Sequence, residues 1–149
     1  MRGKKIIIGL LIAVVTLAAG VLALDVPGKM EMLLEKRSVE RAANNYLKAE
    51  KEGNLNQVYT LLAPSSVYKK THSYDQFLEE MTNHSSVKIS TYRIVNISRL
   101  RDNDMRKEYP DVDKFVQVEV DVTFEHSGEN SVFNYSFTFL KEKGNWYKG

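Results

Sequence analysis

The 149-residue chain contains no cysteine. That absence excludes disulfides and a lipid-modified N-terminal cysteine, so anything exported must be held together by its apolar core alone. An excess of one charge is also missing. Of 21 basic residues, Arg2, Lys4 and Lys5 stand at the start, so 18 basic residues meet 19 acidic ones beyond them, a formal net of −1. Nucleic-acid binding relies on clustered Lys and Arg in excess, and that partner class is excluded. Lys69 with Lys70, and Arg99, Arg101, Arg106 and Lys107 interspersed with Asp102 and Asp104, read as solvated surface. No nucleophile elbow or phosphate loop is present, since Ser65 and Ser66 have no flanking glycines to make the sharp turn. Internal repeats and low-complexity tracts are absent too.

What is there begins with nineteen uncharged residues, Ile6 to Leu24. As a helix they would span roughly 28 Å, the thickness of a bilayer's hydrocarbon core. The run is longer than the core of a cleaved signal, which favours a retained anchor. Val21 and Ala23 offer small residues before a cut ahead of Leu24, so removal stays open as the other reading. Either way the basic start predicts an N-terminus inside and a C-terminal bulk outside. The division is then 1–5 basic cytoplasmic start, 6–24 transmembrane anchor or uncleaved signal, 25–37 juxtamembrane linker and helix start, and 38–149 one folded domain.

Within that domain Asp25 to Gly28, with Pro27, reads as a break before a helix from Lys29 to Glu52. Val39, Ala42, Ala43, Tyr46 and Leu47 mark its buried face, and Gly53 ends it. Asn54 caps a second helix with Leu55, Val58, Tyr59 and Leu62 inward, closed by Pro64 and the serines after it. Ser73 and Gln76 form a capping box opening a third, with Phe77, Leu78 and Met81 on its apolar side. Then the period changes to two. Val87 to Leu100 is a strand whose alternation slips near Ile94, predicting a bulge. Val116, Val118, Val120, Val122 and Phe124 form one face of the next strand, with Gln117, Glu119, Asp121, Thr123 and Glu125 on the other. A turn over Ser127 to Asn130 leads to Phe133, Tyr135, Phe137 and Phe139, expected to point inward, and a Gly144–Asn145 turn leads to a short last strand with Trp146. The loop Asp102 to Asp111 is expected to be the least structured part. The fold class is α+β: N-terminal helices packed on one curved antiparallel sheet, preceded by one transmembrane helix.

The block YLKAEKEGNLNQVYTLLAPSSVYKKTHSYDQFLEEM, Tyr46 to Met81, resembles the helical half of the nuclear transport factor 2-like superfamily. That superfamily includes ketosteroid isomerase relatives and exported domains such as the N-terminal domain of some penicillin-binding proteins. Tyr46 and Ala49, the Gly53–Asn54 turn, Tyr59 with Leu61 and Leu62, Pro64 and the Ser73–Phe77 run carry the resemblance, with the strands from Val87 to the Gly144–Trp146 turn alongside. It covers residues 38–148 and implies a cone with a pocket between helices and sheet. No activity is implied, because the fold hosts enzymes, carriers and interaction modules alike.

Ketosteroid isomerase chemistry places a carboxylate base and oxyanion donors inside an apolar cone. Here Glu119 and Asp121 fall on the face opposite the valines, and no catalytic residue is assigned. Asp75 reads as a helix-dipole partner, Glu79 and Glu80 as solvated. His72, His84 and His126 lack metal-ligand spacing, so neither metal nor cofactor is expected. Three sequons, at Asn83, Asn96 and Asn134, read as chance. The ligand-binding candidates are Tyr46, Tyr59, Tyr68, Tyr74, Tyr92 and Tyr135, expected to converge at the mouth of the cone. The expected function is a non-enzymatic, membrane-anchored extracytoplasmic domain binding a small apolar ligand or another envelope protein. The alternative is a small isomerase, cyclase or hydrolase of the same fold. A sheet-to-sheet dimer is disfavoured by the polar row Gln117, Glu119, Asp121 and Thr123.

Overall fold

The computed structural model describes residues 26–84, 88–100, 105–126 and 128–149. The expected membrane segment, 6–24, lies outside them, and among the described residues no helix is long and apolar enough to cross a membrane. Helix α1 runs Val26–Lys51, and a division into two units falls inside it, between Glu35 and Lys36. The break expected at Asp25 to Gly28 is corrected: Pro27 and Gly28 belong to the first turn. Proline is tolerated there because the first amide donors have no intrahelical partner in any case.

After α1 come α2 (Leu55–Thr60), α3 (Val67–Thr71) and α4 (Tyr74–His84). Gly53, at φ +66°, turns the chain out of α1, and Asn54 accepts the Gln57 amide to start α2. The capping box at α4 closes in both directions: Ser73 N–H donates to Gln76 Oε1 at 2.8 Å and Gln76 N–H to Ser73 Oγ at 3.3 Å. Ser73→Ala should therefore lower stability by about 1 kcal/mol, read by urea unfolding, with no change in helix content of the folded protein. Only Phe77 of the expected apolar side is buried; Leu78 and Met81 are exposed. Helix α3 was not foreseen. The serines expected to close α2 instead open α3, with Ser66 Oγ accepting the Lys69 amide.

Four strands form one antiparallel sheet in the order β1 (Lys88–Arg99), β2 (Lys114–His126), β3 (Glu129–Glu142), β4 (Asn145–Lys148). The register between β1 and β2 slips at Ile94/Asn96, as the sequence pattern required, and once more at Ile89/Thr91. β2 and β3 pair without interruption from Lys114↔Lys141 to His126↔Glu129. The last hairpin turns on Lys143 and Gly144, both at positive φ, so Asn145 pairs with Glu142 rather than forming the turn.

The valine face is the core. Val116, Val118, Val120 and Val122 are buried together with Phe139, and Val39, Ala43, Tyr46 and Leu47 of α1 are buried as well. The ring of Tyr46 meets that of Phe139 edge-on at 6.5 Å, and Tyr92 OH reaches the Asn44 carbonyl at 3.4 Å. The opposite face is polar in its middle, where Asp121 pairs with Arg93 at 2.6 Å and accepts from Asn134. One corner of it is not: Phe115, Leu140, Val112 and Ala63 form a second small core, with Leu100, Met105, Tyr109 and Tyr147 against it. The segment expected to be least structured thus contributes a helical turn, α5 (Met105–Glu108), and buried Val112, because Phe115 and Leu140 need cover on that side.

Candidate functional site

The six candidate tyrosines do not share one rim. Tyr59, Tyr68 and Tyr74 gather around Phe77 on the helical side, with Tyr59–Tyr74 centroids 5.4 Å apart and Tyr68–Phe77 centroids 6.2 Å apart. They are already engaged. Tyr59 OH donates to the His72 carbonyl at 2.9 Å, and Lys69 Nζ lies 5.1 Å from its ring, so the cation that such a face would take is the chain's own. Tyr68 stacks on His72 and donates to Glu80 Oε2 at 2.6 Å; burial, with the Glu80 contact adding to it, pushes its hydroxyl up to about 12. His72 Nε2 lies 3.4 Å from Glu80 Oε1, and these two with Gln76, Glu79 and Asn83 line a polar surface cleft of about 410 Å³. No three His, Asp or Glu side chains among the described residues could hold a metal ion together.

Tyr46 and Tyr135 lie on the valine face, linked through Phe137: Tyr46–Phe137 centroids are 6.4 Å apart and Tyr135–Phe137 6.0 Å, nearly parallel. Phe124 and Phe133 continue the row, each about 6 Å from Tyr135. These rings were expected to fill space inward. They do share the inward face, since Val122 pairs with Phe133 and Val120 with Tyr135, yet Phe133 is 51% exposed and Tyr135 39%. Phe139, on the same face, is buried. The result is a row of aromatic rings running from the buried core to solvent along one strand.

No protein-family model and no curated protein matches the chain. Among solved structures it is similar to a cystatin-like protein from Ruminococcus gnavus ATCC 29149, at 16% identity and a TM-score of 0.46. The match covers 81% of this chain but 42% of that one, so the chain spans less than half of that protein's length.

At the inner end of the aromatic row sits a polar group that sequence reasoning missed. Tyr46 OH donates to Glu50 Oε1 at 2.5 Å, one helical turn on. Burial pushes the Glu50 carboxyl up, against the lowering effects of the Tyr46 hydrogen bond and the Lys148 charge. Burial likewise pulls Lys148 down, opposed by Glu50. Lys148 Nζ also stands 6.0 Å from the Phe137 centroid. The i, i+4 spacing of Tyr46 and Glu50 was readable, but Lys148 comes from the far end of the chain.

A buried carboxylate, Glu142, accepts from both the amide and the hydroxyl of Ser65. Ser66 and Lys69 have the spacing of a serine–lysine pair but are used structurally: Ser66 Oγ donates to the Ala63 carbonyl, and Lys69 Nζ to the carbonyls of Leu62 and Thr60. Glu142 ties the α2–α3 turn to the end of β3, while Ser66 and Lys69 hold the turn to itself.

Proposed function

We propose that this chain is a non-enzymatic binding module, of the nuclear transport factor 2-like kind, that takes a small apolar ligand on the open part of its valine-lined sheet face. Residues 6–24 tether it to the outer side of a bacterial membrane, with the basic start inside. The observation that supports the reading is the aromatic row Phe124, Phe133, Tyr135 and Phe137, in which Phe133 and Tyr135 are exposed and the other two half-buried. A run of adjoining aromatic surface left open to water is costly unless something covers it, and rigid rings lose little entropy on binding. Tyr46 marks the row's inner end; Tyr59, Tyr68 and Tyr74 fall outside this site.

The full chain, drawn from its native membrane in a mild detergent, should carry a small apolar molecule visible by native mass spectrometry. Phe133→Ala/Tyr135→Ala should lose it while keeping the wild-type circular dichroism. Retention of the same molecule by the double variant, or a bare wild-type chain, would sink the reading.

The alternative, an isomerase, cyclase or hydrolase, draws support from one observation: a carboxyl raised by burial and hydrogen-bonded to a tyrosine hydroxyl, Glu50 with Tyr46. Neither the cleft at His72 nor a second of about 290 Å³ beside Tyr109, Thr138 and Gly149 is lined by Glu50. That leaves the binding reading ahead.

A further inference from the structure

The long edges of the sheet are protected unequally. β4 pairs with β3 over Phe139–Glu142, and its own outer side is met by the segment before α3, where Ala63 N–H donates to the Lys148 carbonyl at 2.7 Å and Lys148 N–H to Leu61 at 3.0 Å. The outer edge of β1 is broken by its two register shifts and carries Lys88, Arg93 and Arg99. Bulges and charges of this kind are what keep an edge from pairing. β3 has neither.

From Glu129 to Phe137, β3 has β2 on one side and no described segment on the other. Its first eight residues, Glu129 to Ser136, are all exposed, with Val132 at 65%. The pairing with β2 has no bulge, and Asn130 to Leu140 contains no charge, glycine or proline. Because the Thr138 carbonyl accepts from Gly149 on the β4 side, the alternation of an antiparallel ladder turns the N–H and C=O groups of Val132, Asn134 and Ser136 toward the open edge.

We propose that this edge pairs with the same edge of a second copy, antiparallel, with Asn134 opposite Asn134, joining two four-stranded sheets into one. Neutrality argues for self-pairing, since a charged edge would repel its own copy. The register places each Phe133 opposite Tyr135 of the second copy, an aromatic cross-strand pair made twice, and ends before Thr138, which Gly149 already occupies. About six backbone hydrogen bonds form along it. So narrow a contact is below the size of a permanent interface, and the dimer is reversible. In it the two aromatic rows become neighbours across the new pair of strands, on one continuous face.

Sedimentation equilibrium of the full chain in mild detergent should show a monomer–dimer equilibrium, with exchange of the Val132, Asn134 and Ser136 amides slowing as concentration rises. Because the chain lacks cysteine, Asn134→Cys gives a single thiol, and it should oxidise to a covalent dimer, whereas Asn96→Cys on β1 should not. Asn134→Lys sets like charges opposite each other and should weaken the dimer about fivefold without removing the aromatic row. A monomer at every concentration, concentration-independent amide exchange, or equal cross-linking through both cysteines would overturn the proposal. Loss of the dimer in Asn134→Lys with ligand retained separates it from the reading of the binding face.

Discussion

Phe139→Ala should lower the unfolding free energy by about 3–5 kcal/mol, while Phe133→Ala, on the same strand and the same face, should change it by less than about 1 kcal/mol. Phe139 is 1% exposed and pairs across the sheet with Val116 beneath Tyr46. Removing its ring takes away the transfer free energy of the buried atoms and leaves a cavity that strand backbones on both sides cannot collapse into. It also removes the edge-on partner that helps hold Tyr46, and so loosens the helix on its sheet. Phe133 already has half of its surface in water, so little is lost. Urea unfolding at concentrations low enough to keep the chain monomeric measures both. Since a domain of this size is stabilised by only about 5–15 kcal/mol, Phe139→Ala should also be visibly prone to aggregation at 37 °C. Equal costs for the two variants would mean that the aromatic row is covered in solution and that its exposure here is not its working state.

This contrast also shows where the sequence was legible. Alternation of Val116 to Val122 gave the buried face of β2, and the phase slip near Ile94 gave its neighbour's bulge, because both are local consequences of a two-residue repeat. The alternation of β3 named the right face for Phe133, Tyr135, Phe137 and Phe139 but not how far cover extends along it. That extent is set by tertiary facts: Tyr46 of α1 meets Phe137 and Phe139 but not Phe133, and β4 pairs only with Phe139–Glu142 at the end of β3. The same limit explains the tyrosines. They were expected to converge at one mouth, but Tyr59, Tyr68 and Tyr74 close around Phe77 and Tyr46 turns toward Glu50, since a short helix such as α3, whose residues look like loop, decides which rings meet. Phe115 lies out of phase with the valines, and that single residue was the available signal for the second core and for order in the segment from Met105 to Val112.

Removing Glu50 and Lys148 together should cost less than removing either alone. Lys148→Met is expected to lower stability by about 2 kcal/mol and Glu50→Gln by about 1 kcal/mol, with the double variant within about 1 kcal/mol of wild type, because each single change strands a half-buried charge that the other had offset. Fully buried pairs lose more; these groups keep some contact with solvent. The pH dependence carries the sign. Glu50 has its folded value above the ordinary 4.5, so the native chain holds that proton to higher pH than the unfolded chain, and stability falls as pH rises through the folded value. Lys148 has its folded value below the ordinary 10.5, so the unfolded chain binds the proton where the native one does not, and stability rises with pH between the lowered value and 10.5. Lys148→Met removes a charge that pulls Glu50 down, so the acid-side loss should deepen and move to higher pH. Glu50→Gln removes what holds Lys148 up, so the alkaline gain should begin at lower pH. Stability measured by urea unfolding from pH 4 to 10 should show both effects in the single variants and neither in the double. Strict additivity would mean that the two charges do not sense each other, and the polar end of the aromatic row would then be two separate groups rather than one.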